Sequence, residues 1–141
     1  MTTLAGRKIN RVLKPGGHLV LSTPNICSSR GVQAVLLGYH PGLFTQYVLP
    51  GKDGETDPRH SREYAPRDVH ELFIAAGFSV ERLETSAYFD RPSAELEWVD
   101  RLMKQYKLPS HLRGDVIHAV GKKAGPVKER HPAFLYAGSE T

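Results

Sequence analysis

The chain has 141 residues, 40% of them hydrophobic and 24% charged, the size and composition of one globular domain built on a single core. Its formal charge of +4 comes with one dense basic stretch, Lys122, Lys123, Lys128 and Arg130, which Glu129 interrupts and no aromatic interleaves, and this argues against a nucleic-acid partner. No segment approaches the roughly 18 consecutive apolar residues of a membrane span, the N-terminus lacks the apolar core of a secretory signal, and the single Cys27 cannot form an internal disulfide; a cytoplasmic protein with no membrane partner is expected.

Leu4, Lys8, Ile9, Val12 and Leu13 approximate helical spacing, and Pro15-Gly16-Gly17 then stops the helix, which places a first helix at about residues 3 to 13. The run His18 to Thr23 is short, largely apolar and bounded by Gly17 and Pro24. That pattern predicts a strand buried on both faces, of the kind found in parallel sheets. From residue 26 to 59 the sequence is broken by glycines and prolines and reads as a long functional loop, with a short helix carrying Val32, Val35, Leu36 and Tyr39 and capped by Ser28 or Ser29.

A second clear helix starts at Pro66, whose fixed φ suits a first turn, and carries Val69, Leu72, Phe73 and Ala76; Gly77 ends it and turns Phe78 back onto Phe73. Ser79 to Phe89 follows as a strand whose alternation slips between Val80 and Leu83, the mark of a bulge or bend. Ser93 is placed to cap a last helix with the stripe Leu96, Val99, Met103, Tyr106, closed by Pro109. Asp115 to Gly121 reads as the last strand, and residues 124–141 as a polar C-terminal tail.

Three passages sharpen this order of elements. LKPGG with the strand ending in STPN (Leu13 to Asn25), HSREYAPRDVHELFIAAGFSVERLET (His60 to Thr85) and RGDVIHAVGKK (Arg113 to Lys123) resemble the fifth strand, the following helix with the sixth strand, and the seventh strand of class I S-adenosylmethionine-dependent methyltransferases. The resemblance implies an α/β fold over residues 1–123, the C-terminal part of a Rossmann-like methyltransferase domain. It has about three strands, one parallel-type and two forming an antiparallel pair in which the seventh strand opposes its neighbours, with covering helices. It implies methyl transfer from S-adenosylmethionine to a small-molecule acceptor such as a sugar or polysaccharide precursor.

The family's cofactor loop is a glycine-rich turn, and among the 13 glycines here G-x-G does not occur. The chain is therefore expected to represent a truncated enzyme, the C-terminal half alone, without the scaffold that grips the cofactor and not catalytically competent by itself. The open strand edge and sheet face would then lead it to self-associate or to dock on a complementary N-terminal half. A second departure is Ala65, which stands where the family has a capping Thr or Ser, at a cost of about 1 kcal/mol.

The resemblance places His60, Arg62 and Tyr64 on the wall of the acceptor pocket, and their alternation on an extended segment turns them the same way. His60, with a reference pKa near neutrality, is the candidate general base, and Arg62 can pair with an acidic group of the acceptor; the structural alternative has Arg62 and Tyr64 bracing the helix start. Asn25, at the end of the buried strand, either meets the ligand or bonds its own turn. Tyr39, with Phe44 and Tyr47, lines an acceptor pocket or packs a lid helix. The seven histidines lack metal-ligand spacing, no third group completes a Cys27 and His60 nucleophile pair, and His18 and His118 read as packing residues. The alternative to an enzyme is a non-catalytic interaction module that pairs through its open sheet edge.

Overall fold

The computed structural model describes residues 3–43, 62–88 and 94–138. The described order is α1 (Thr3–Val12), β1 (His18–Pro24), α2 (Ser29–Leu36), α3 (Pro66–Ala75), β2 (Phe78–Ser86), a 3-10 turn (Ala94–Leu96), α4 (Glu97–Gln105) and β3 (Val116–Lys123). The strands form one open sheet in the order β1-β3-β2, so the class is mixed α/β.

β3 runs antiparallel to both neighbours. Against β1, Lys123 donates its N–H to the Gly17 carbonyl at 2.8 Å, and Asn25 donates to the Asp115 carbonyl at 2.8 Å, so one number rises as the other falls. Against β2, Ala124 donates to the Gly77 carbonyl at 3.0 Å, while Gly114 donates to the Thr85 hydroxyl at 3.0 Å. This corrects the expectation that β1 is a parallel-type strand. The chain returns from α4 beside the C-terminal end of β1, so the strand that follows has to run back along it. The one parallel pairing among the described residues is an isolated bridge between Asn25 and Tyr64.

Nor is β1 buried on both faces. Leu19 and Leu21 are half-buried, whereas His18, Val20 and Ser22 are exposed, Val20 to 73%. Three apolar residues in a row suggest two covered faces, but only the odd positions turn inward. His18 and His118 are accordingly not packing residues. The His18 imidazole lies 2.9 Å from the Glu81 carboxylate, and the His118 ring lies 2.9 Å from the Ser22 hydroxyl directly across the strand pair.

By contacts the chain falls into two interleaved units. The first comprises residues 1–22, 66–84 and 118–141. Its core is Val69, Leu72, Phe73, Phe78 and Ala119, where each large side chain contributes roughly 1.5–3 kcal/mol by leaving water. α3 forms as the sequence predicts, with Pro66 at its start, Asp68 favourable to the dipole in the first turn and Gly77 at φ +86° ending it. Phe78 then meets Phe73 edge to face, centroids 5.9 Å apart. Gly121 is glycine by necessity, since a Cβ there would sit 2.3 Å from the Phe73 ring.

α1 is fastened by the buried Asn10 and the half-buried Lys123 of this unit. Asn10 donates to the carbonyls of Ala76 (2.7 Å) and Gly125 (3.0 Å), and the Lys123 ammonium donates to those of Asn10 (2.6 Å) and Leu13 (2.7 Å), closing the C-terminal end of the helix. The stretch expected as a polar tail is tied down over its described part: Lys128 and Glu129 both donate to the Ala75 carbonyl, and Pro132 is buried. Residues that must satisfy the free carbonyls at the end of α3 cannot hang loose.

The second unit comprises residues 23–65 and 85–117. Ser28 caps α2 by accepting from the Gly31 N–H at 3.0 Å, and Gly31 is buried against the Ile26 carbonyl, which a Cβ would strike. Gln33 reaches the Glu95 carbonyl at 2.9 Å, which ties α2 to the start of the α4 region. Of the α4 stripe, Val99 and Met103 are buried and Tyr106 is exposed; the cap proposed at Ser93 lies outside the described residues. Of the expected apolar face of α2, Val32 is half-buried and Val35 and Leu36 are exposed.

Candidate functional site

The candidate site lies in the second unit, where β1 ends, the position at which ligands enter open α/β sheets. Asn25 is 2% exposed and its carboxamide is fully engaged. Its Nδ2 donates to the carbonyls of Leu112 (3.0 Å) and Gly114 (2.7 Å), and its Oδ1 accepts from the Cys27 N–H (3.0 Å). Of the two sequence readings, the bond to its own turn is present, and it is joined by bonds to a distant loop. Thr23 beside it is buried, and its hydroxyl has no hydrogen-bond partner among the described residues.

The loop that Asn25 holds is knitted further by Arg113. Its Nη1 donates to the Cys27 carbonyl at 2.8 Å, and Nε and Nη2 donate to the Pro109 carbonyl at 3.0 and 2.9 Å. Asp115 accepts from the Tyr88 N–H at 3.0 Å and pairs with Arg30 at 3.6 Å. Gly114 between them leaves no room for a side chain, because a Cβ would lie 2.7 Å from the Ser86 carbonyl. Sequence periodicity missed this Arg113-Gly114-Asp115 turn as a supporting frame. An Arg-Gly-Asp run immediately before a strand was the available signal.

Tyr64 is buried and pairs with the end of β1 through its main chain, accepting from the Ile26 N–H at 3.1 Å. The exposed Arg62 guanidinium stands 5.6 Å above the Tyr64 ring centroid. Alternation therefore turns these two to one side, as expected of an extended segment, and the Glu63 carboxylate between them accepts the Leu43 N–H at 2.9 Å on each oxygen. His60, Phe44 and Tyr47 lie outside the described residues. Tyr39 follows Gly38, which ends α2 at φ +84°; its N–H bonds the Ala34 carbonyl at 2.7 Å and its side chain is 72% exposed.

The arrangement holds a cation over a buried aromatic at the mouth of the sheet, on a frame of hydrogen-bonded loops. Such a cation can take a phosphate or carboxylate group. Among the described residues no group of three or more His, Cys, Asp or Glu could hold a metal ion, and no helix is long and apolar enough to cross a membrane. No family model and no curated protein sequence matches this chain.

Proposed function

We propose that this chain forms the acceptor side of a class I S-adenosylmethionine-dependent methyltransferase, whose reaction moves a methyl group to a small acceptor such as a sugar or polysaccharide precursor. The observation that carries the reading is the position of β3, between the two preceding strands and antiparallel to both. The resemblance asks of its seventh strand that it run against its neighbours, and a last strand inserted in that direction is not what a plain doubly wound sheet produces. The Pro-Gly-Gly turn into β1 and the Pro66 start of α3 support the same alignment.

In this reading Arg62, steadied by Tyr64, binds an acidic group of the acceptor, and His60 takes the proton of the acceptor hydroxyl. Asn25 acts as a positioning residue through the loops it fastens, and Tyr39 offers an exposed ring to the acceptor. The sequence does not carry the family's donor loop: the G-x-G turn that lets the backbone approach the ligand closely does not occur. Donor contacts accordingly belong to residues outside these 141, and the chain alone is inactive.

The test joins the chain to the polypeptide encoded directly upstream of Met1. The joined protein is incubated with methyl-tritiated S-adenosylmethionine and a panel of sugar nucleotides and free sugars. Label entering an acceptor supports the reading; a joined protein that binds no donor and labels nothing contradicts it. A second reading, a module that pairs through its sheet edge, is favoured by the exposed Val20 on β1.

A further inference from the structure

The hydrogen-bond register of β1 fixes which of its groups are free to bond outward. Gly17 and Asn25 bond to β3, so the odd positions face the sheet. His18, Val20 and Ser22 therefore direct their N–H and C=O groups away from β3, on the side where β1 is the last strand among the described residues. The next outward position is Pro24, which has no N–H, and beyond it the Ile26 N–H is taken by the Tyr64 carbonyl. The open edge is thus a short stretch with a donor and an acceptor at each of His18, Val20 and Ser22.

We propose that this edge pairs with the same edge of a second copy of the chain, antiparallel, about a two-fold axis at Val20. That register sets Val20 against its counterpart and His18 against Ser22 of the second copy, so all outward groups of both strands are bonded. Leu19 then faces Leu21 of the second copy on the inner face. Shifting the centre leaves outward groups unpaired or brings Pro24 into the ladder. The strand from His18 to Pro24 has no Asp, Glu, Lys or Arg, so a copy meets no like charge across the pair. The devices that usually protect an edge, a lysine, a bulge or an early proline, are absent from positions 18 to 22. Val20, 73% exposed, gains its counterpart as a cross-strand neighbour. An isologous pairing of this kind closes at two chains and does not propagate.

The inference rests on the sheet alone; a complementary N-terminal half docked on the same edge would exclude the second copy. Sedimentation equilibrium of the 141-residue chain is predicted to show the average mass rising from one chain to two with concentration, and Val20→Lys to abolish the rise. In a Cys27→Ser background, Val20→Cys is predicted to form a disulfide-linked dimer on mild oxidation, since directly opposed Cα atoms of a bonded antiparallel pair lie roughly 5.5 Å apart. Ser22→Cys, facing His18, gives no such dimer. A wild-type chain that stays a single mass, or cross-linking equal at both positions, overturns the proposal. A dimer that Val20→Lys leaves intact shows that another surface is responsible, which overturns it as well.

Discussion

The Asn25 carboxamide donates to the Gly114 carbonyl at 2.7 Å, joining the end of β1 to a turn 89 positions later. With its further bonds to Leu112 and Cys27 it converts three loose ends into one frame beside Tyr64. The arrangement explains why an amide is needed there: two carbonyls require two donors and one N–H requires an acceptor, a combination that no other side chain of this size supplies.

Asn25→Ala is therefore expected to strand two carbonyls and an amide, and to destabilise the chain by about 2–4 kcal/mol in urea unfolding. Asn25→Asp keeps the shape but turns a carboxylate toward two carbonyl oxygens, so it should be no better than alanine at neutral pH. A stability equal to wild type in either variant contradicts this account of the frame.

Gly121 abuts the Phe73 ring, with 2.3 Å available to a Cβ. Gly121→Ala should cost about 1–3 kcal/mol through overpacking. Combining it with Phe73→Leu should cost less than the sum of the two single changes, which a thermal double-mutant cycle measures.

Lys123 satisfies the Asn10 and Leu13 carbonyls at the end of α1. Lys123→Met retains the stem and removes the donor, and is expected to lower stability by about 1–3 kcal/mol. Lys122→Met, at an exposed position next to it, should change stability by less than about 0.5 kcal/mol. Equal effects in chemical denaturation would count against the capping role.

Arg62 is exposed, and its expected role is toward the acceptor. In the joined protein, Arg62→Ala should reduce kcat/KM for an acidic acceptor by about 10- to 100-fold, the loss of one charge-assisted hydrogen bond, mainly by raising KM. Melting temperature should change little. A drop in stability with unchanged KM would instead assign Arg62 to bracing the start of α3.

Elements with local signals were legible before the structure. Pro66 and Gly77 delimit α3, Gly77 turns Phe78 onto Phe73, Ser28 caps α2, and the burial slip in β2 falls at the exposed pair Glu81 and Arg82 between Val80 and Leu83. What was not legible depends on pairing between distant segments. Composition alone cannot say that β1 lies beside an antiparallel β3 or that one of its faces is open, because Leu19, Val20 and Leu21 read alike in either setting. The Asn25 bond to its own turn was legible, but the long-range bonds of Asn25 and Arg113 were opaque for the same reason: those partners, Gly114 and Cys27, lie far along the chain, beyond the reach of any periodic pattern. The described part of the tail looked loose because its Lys, Glu and Arg content masked main-chain bonds to Ala75 and Gly77.

The central claim is that these 141 residues bind an acceptor and provide no scaffold for the methyl donor. Titration calorimetry of the chain by itself with S-adenosylmethionine addresses it most directly. The account predicts no heat of binding from the chain alone and saturable heat once the upstream polypeptide is attached. Saturable micromolar binding by the isolated chain would contradict it.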